Sequence, residues 1–204
     1  MKVDRPGPGE ELNRGAATPA RRAATVIVLR GGAETLEVLL VKRNPEQRFM
    51  GGAWVFPGGA VDDGEDHRVA GVREVGEEAS VVIEDPESLV EFSRWITPAQ
   101  VKIRFDTHFY LARSPAGAEP RPDGGETVDL RWYAPRDALE AHGRGELELV
   151  FPTIKTLEQL SGFGTASELL AWADGRTVEP VEPQVVVEGE VARVVLPGEP
   201  GYVA

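Results

Sequence analysis

The sequence contains no cysteine, two methionines and three histidines, and no apolar run that approaches the roughly 18 residues a membrane-spanning helix needs. The first absence excludes disulfides, thiol nucleophiles and thiolate metal sites. His67, His108 and His142 have no metal-ligand spacing, so imidazole-based metal binding is not expected either. Positive charge is also scarce. With 22 Lys and Arg against 34 Asp and Glu, the formal net charge is -12, which argues against a surface that coats nucleic acid through many phosphate contacts. A small phosphorylated molecule stays open as a partner if its charge is cancelled locally, for which bound divalent cations are the usual means. The amino end lacks the basic start and apolar stretch of a secretory signal, so the cytoplasm is the expected compartment and no membrane association is expected.

What is present is an ordinary globular composition, 41% hydrophobic and 27% charged over 204 residues, enough for one well-cored domain with additions. Residues 1 to 22 are rich in Pro, Gly and Ala without apolar periodicity, which predicts a flexible N-terminal tail. A folded domain is expected over residues 23 to 175. Strands are predicted at Thr25 to Leu29, Leu36 to Val41 and Trp54 to Phe56, then a helix from Asp66 to Ala79 with Val69, Val72, Val75 and Ala79 on its apolar face. Strands at Phe105 to Leu111 and Val128 to Tyr133 and a helix at Pro135 to His142 follow. Two more helices are predicted, from about Pro152 to Leu160 and from Thr165, whose partner Glu168 suggests a capping box, to before Gly175. Residues 176 to 204 form an extension with a hairpin, Val185 to Val187 and Val191 to Leu196, turning at Glu188 to Glu190; its edge could pair with a second copy as a homodimer. Together the order predicts an α+β fold, a mixed sheet flanked by helices in an α/β/α sandwich.

The chemistry lies in Gly59-x5-Glu65-x7-Arg73-Glu74-Val75-x-Glu77-Glu78-x-Ser80-Val81. Glu74, Glu77 and Glu78 stand at helical positions i, i+3 and i+4 and therefore share one face. Each like-charge pair at that spacing costs about 0.2 to 0.5 kcal/mol unless a cation sits on the cluster. Hard oxygen ligands at this density suit Mg²⁺ or Mn²⁺, which complete their shells with water and phosphate oxygens. The alternative is a solvated helix face on which Arg73 pairs with Glu77. Ahead of the helix, Phe56-Pro57-Gly58-Gly59 ends a strand with glycines that let the backbone approach an ion or phosphate closely; a plain turn is the alternative there.

Taken together these residues resemble the Nudix box, Gly-x5-Glu-x7-Arg-Glu-U-x-Glu-Glu-x-Gly-U with U aliphatic, at every specified position but one. The departure is Ser80, which replaces a glycine where the helix must end and should cost on the order of 1 kcal/mol of left-handed strain. The resemblance implies a Nudix fold and metal-dependent hydrolysis of a phosphoanhydride. Carried over to this chain, it makes Glu74 and Glu78 the first metal ligands, Glu77 the next, and the carbonyl of Gly58 or Gly59 a further one. Arg73 would hold the carboxylates in place. A general base is expected at Glu74 or at Glu126, which sits in the loop Asp123-Gly124-Gly125-Glu126 where many Nudix enzymes carry an extra acid; Asp129, inside a strand pattern, is less suited.

The preceding stretch, Leu39-Leu40-Val41-Lys42-Arg43-Asn44-x3-Arg48-x3-Gly52-x3-Phe56-Pro57-Gly58-Gly59, is similar to the signature of coenzyme A diphosphatases, with Val41 and Asn44 departing from it. Arg43, Arg48 and Gly59 are the substrate-binding residues this implies, guanidinium forks being suited to phosphates. Trp95 to Pro98 and Arg104 to Phe109 resemble the subgroup containing peroxisomal acyl-coenzyme A diphosphatases. Coenzyme A or an acyl ester is therefore the leading expectation. Nucleotide sugars, ADP-ribose and dinucleoside polyphosphates are alternatives, and a ligand-sensing module of the same fold is the alternative outside enzymes, although such modules typically lack the helix carboxylates.

Overall fold

From Ala23 to Leu29 every residue is buried or half-buried, which marks a strand covered on both faces at the centre of a layered fold. The computed structural model describes residues 2–4, 12–13, 16–31, 35–188 and 191–203. At its centre is β2 (Arg21–Arg30), which pairs in parallel from Arg21 to Leu29 with β7 (Phe105–Arg113) on one edge. Two strands share the other edge. Near its end β2 pairs antiparallel with β3 (Glu37–Arg43), and near its start, over Ala23 to Thr25, with the short β5 (Gly58–Ala60). Beyond β3 lie β4 (Trp54–Val55) and β8 (Thr127–Tyr133); beyond β7 lie β6 (Val90–Ile96) and β9 (Pro180–Val181), giving an eight-stranded mixed sheet.

Helices cover both faces of this sheet. Ala24, Val26 and Val28 point toward α1 (His67–Ala79), together with Val75, Ala79 and Tyr110. Ile27 and Leu29 point the other way, into a core shared with α2 (Pro135–Gly143), α3 (Phe151–Leu160) and α4 (Ala166–Ala173). The expected α+β sandwich is therefore present. At α4 the capping box takes the form in which Thr165 accepts from the Glu168 N–H while the Glu168 carboxylate accepts from the Gly164 N–H.

Several elements differ from expectation. β6 was not predicted because a register shift between Glu91 and Ser93 breaks the period-two pattern. β5 carries two glycines and so offers no side-chain alternation to read. On α1, Val69 is 46% exposed; the buried stripe runs instead through Ala70, Gly71, Val75, Glu78 and Ala79. Small residues prevail there because the helix lies tight on β2: a β-carbon at Gly71 would meet Val26 Cγ2 at 2.9 Å.

The tail expected over residues 1 to 22 falls partly outside the described residues. Of those described, β1 (Lys2–Asp4) pairs in parallel with β11 (Val191–Val195), Leu12 bridges Val101, and Arg21 and Arg22 already belong to β2. β11 also pairs antiparallel with β10 (Gln184–Glu188), in a separate three-stranded sheet. The expected turn residues Gly189 and Glu190 lie outside the described residues. Among the described residues no helix is long and apolar enough to cross a membrane.

Candidate active site

The close seat of α1 on β2 decides where its carboxylates go. Asp66 caps the helix, its Oδ1 accepting from the Arg68 N–H at 2.8 Å, and the last turn closes on Ser80 in the left-handed conformation (φ 56°, ψ 29°). Between these ends Glu74 and Glu78 face the Gly58–Gly59 turn of β5. Glu78 is only 3% exposed. Its Oε2 accepts from the Gly58 N–H at 3.0 Å, while Oε1 is buried without a hydrogen bond, 3.8 Å from Arg43 Nη1. Burial pushes the Glu78 carboxyl up to about 7, against the opposing pull of the Gly58 N–H and Arg43.

Glu74 is the second inward carboxylate, and burial raises it above the usual carboxylate range despite its bond to Arg73. Its head group fills the space where a side chain on residue 59 would begin. Glu77, by contrast, is 60% exposed at its side chain, so the three carboxylates do not share one environment as their spacing alone suggested.

Arg73 ties the acids together. Its Nη1 donates to Glu74 at 2.8 Å and to Glu77 at 3.1 Å, its Nη2 donates to the Ala60 carbonyl at 3.0 Å, and Nε and Nη2 form a fork on Glu65, each at 3.1 Å. The pairing of Arg73 with Glu77 weighed from the sequence is therefore present as one of several contacts. Glu65 also accepts from the Asp62 N–H. Its part as the orienting acid was not assigned from the sequence, although the motif position was there to suggest it.

Glu126 reaches the same place from a loop. Asp123 holds that loop by accepting from the N–H groups of Gly125, Glu126 and Thr127, and Asn44 grips it by donating its side-chain amide to the Gly125 carbonyl and its N–H to the Glu126 carbonyl. Thr127 fastens the loop to α1, its buried hydroxyl lying 2.7 Å from the Glu78 carbonyl oxygen. The charge of Glu126 accordingly helps to raise both Glu74 and Glu78. Asp129 instead pairs with Arg131 and does not line the site.

These residues border a cavity of about 680 Å³, within the size range of small-molecule sites. Glu74, Glu77, Glu78, Glu126, Arg43, Arg73, Gly58 and Gly59 all line it. Arg48 does not: it is exposed on the turn after β3 and stands outside the lining.

Among the described residues no three His, Asp or Glu side chains are arranged to hold a metal ion as they stand, because Glu74 and Glu77 are turned toward Arg73 and Glu78 toward Gly58. The donor set nonetheless fits a hard cation. One buried carboxylate oxygen lacks a hydrogen bond, two carboxylates are raised by burial and by neighbouring negative charge, and every donor is oxygen.

The model of the NUDIX domain matches residues 19–152. A Caenorhabditis elegans protein classed as a nudix hydrolase is 29% identical over 188 residues, which cover 72% of this chain and 63% of that protein, so the chain spans less than two thirds of that relative. An acyl-coenzyme A diphosphatase of Homo sapiens is 23% identical, covering 89% of this chain and 80% of the relative. The crystal structure of a NUDIX hydrolase from Alicyclobacillus acidocaldarius superimposes with a TM-score of 0.68 at 28% identity, over 76% of this chain and 96% of the other.

Proposed function

The chain belongs to the Nudix hydrolase family, and on that premise we propose that it cleaves the phosphoanhydride bond of a nucleoside-diphosphate-linked substrate with the help of Mg²⁺ or Mn²⁺, coenzyme A or its acyl esters being the best match. The observation that carries the reading is the unpartnered, buried Oε1 of Glu78 beside Glu74 at the edge of a ligand-sized cavity. Among the described residues Arg43 Nη1, at 3.8 Å, is too distant to hydrogen-bond to that oxygen, and burying a carboxylate whose charge is incompletely met is costly.

Glu74 and Glu78 would hold the ion, with Glu77 and the Gly58 carbonyl as further donors. A bound divalent cation supplies charge neutralisation for the diphosphate and a water of lowered pKa. Water then adds across the P–O–P link: its oxygen bonds to phosphorus as the bridging P–O bond breaks, and its proton passes to a carboxylate. Glu74 is the first candidate for that base and Glu126 the second. Arg73 keeps the acids aligned through its contacts to Glu65, Glu74 and Glu77. Arg43 and the backbone at Gly59, which line the cavity, would face the phosphates, whereas the exposed position of Arg48 leaves it a lesser part.

The preference for coenzyme A is supported by the signature around Arg43 and by the similarity to the human acyl-coenzyme A diphosphatase. Incubating the protein with coenzyme A, ADP-ribose, a nucleotide sugar and a dinucleoside polyphosphate, each with and without Mg²⁺ or Mn²⁺, tests it. Metal-dependent release of 3',5'-ADP and phosphopantetheine is the expected result. Turnover of another compound only would move the assignment within the enzyme class, and tight binding of one compound without turnover of any would replace it by a sensing role.

A further inference from the structure

The cavity does not end at the carboxylates. Ala60, Ala23, Thr107, Trp95 and Val181 stand opposite one another on β5, β2, β7, β6 and β9, so a single row of residues crosses the sheet. At 4.7 to 4.9 Å per strand, Trp95 lies about 14 Å from Ala60, well beyond the reach of Glu74 and Gly59. The cavity follows this row, and its far arm is lined by Phe49, Trp95, Val101, Phe105, Val185 and Val194. Charged lining residues lie at the near end, apart from Arg21 at the start of β2.

Val185 and Val194 belong to the hairpin of β10 and β11, outside the stretch matched by the family's domain. They are direct cross-strand partners and so share one face of the hairpin. Arg104 ties the approach to that hairpin to the body, donating to Glu182 at 2.7 Å and to the carbonyls of Thr97 and Thr18. The Val185 N–H also meets the side chain of Gln100.

We propose that the C-terminal hairpin is the outer wall of the catalytic cavity, and that Val185 and Val194 make its far arm a site for an apolar substituent carried on the phosphoanhydride substrate, so that they determine specificity. A second phosphate would find few polar partners there, and groups stripped of hydration without new partners bind poorly. An alkyl or acyl chain needs none. Selection among substrates rests on the cavity being the hydrolytic site proposed above; occupancy of the apolar arm does not.

Two measurements on the full chain separate these. In calorimetry without metal, S-octanoyl-pantetheine, which is uncharged and has no phosphate, should bind the wild type saturably and Val194→Asp about tenfold more weakly. Val194→Trp, which keeps an apolar residue but fills the arm, should weaken binding comparably and carries the test if the aspartate variant does not fold by circular dichroism. Absence of binding to the wild type, or equal binding by both variants and the wild type, overturns the proposal. With Mg²⁺, the ratio of kcat/KM for S-octanoyl-coenzyme A to that for coenzyme A should fall about tenfold in Val194→Asp, and an unchanged ratio also overturns it. If the thioester binds and the variants weaken it while the wild type hydrolyses no diphosphate, the wall stands and the hydrolase reading falls.

Discussion

Gly59 leaves the space that the Glu74 carboxylate occupies: a β-carbon on residue 59 would lie 2.4 Å from Glu74 Oε1. The atoms in the way are the end of a flexible side chain and not backbone, so the fold can yield by moving Glu74. Gly59→Ala is therefore expected to lower kcat by about tenfold or more, equivalent to ~1.4 kcal/mol of transition-state stabilisation, with little change in melting temperature. Steady-state kinetics beside a thermal melt checks this; a variant as active as the wild type would remove Glu74 from the reaction.

Glu78→Gln separates charge from shape. The glutamine oxygen can still accept from the Gly58 N–H, so the variant should fold, yet lose about a hundredfold or more of the metal-dependent activity. Its pH behaviour is the sharper readout. Burial pushes the Glu78 carboxyl up to about 7 from the ordinary 4.5, so between those values the metal-free folded state binds more protons than the unfolded one. Its contribution to stability is thus fully present below 4.5 and is lost as pH rises through about 7. Melts of the metal-free wild type should show that decline, Glu78→Gln should show a smaller one that reflects the raised Glu74 alone, and Mg²⁺ should offset it most in the wild type.

Ser80 ends α1 in the left-handed region, at φ 56°. Ser80→Gly removes the cost of a β-carbon there and is expected to stabilise the protein by about 1 kcal/mol, visible as a rise of a few degrees in melting temperature. Ser80→Ala, which keeps the β-carbon, should give no such gain.

Arg73→Lys keeps one positive charge but cannot make a fork on Glu65 while also reaching Glu74, Glu77 and the Ala60 carbonyl. Activity should fall about tenfold or more, with a loss of stability of about 1 kcal/mol. Adding the Glu65→Gln change to Arg73→Lys should cost much less than it does in the wild type, since the two residues act through one contact; additive losses in the double-mutant cycle would show that they do not.

How much of this was legible beforehand depended on whether the signal was local. The spacing of Glu74, Glu77 and Glu78, the cap at Asp66 and the strain at Ser80 are all written within a few residues of one another, and the helix and its end could be read. Burial could not. Spacing puts Glu77 and Glu78 each one turn from Glu74, yet the contact of α1 with β2 leaves the first in solvent and encloses the second. Asp123 and Asn44 support Glu126 through bonds to backbone groups, and such bonds leave no pattern in a sequence. The bulge in β6 hid a strand, and the reach of the hairpin to the cavity depends on the long return of the chain through β9.

The parallel ladder between β2 and β7 joins residues 21–29 to residues 105–113, with α1 encoded between them. During synthesis α1 must therefore leave the ribosome well before the strand that completes the floor beneath it. Its short apolar stripe has no finished surface to rest on until then, and the loop that brings Glu126 arrives later still. Glu126 can therefore join Glu74 and Glu78 only once nearly two thirds of the polypeptide has been made.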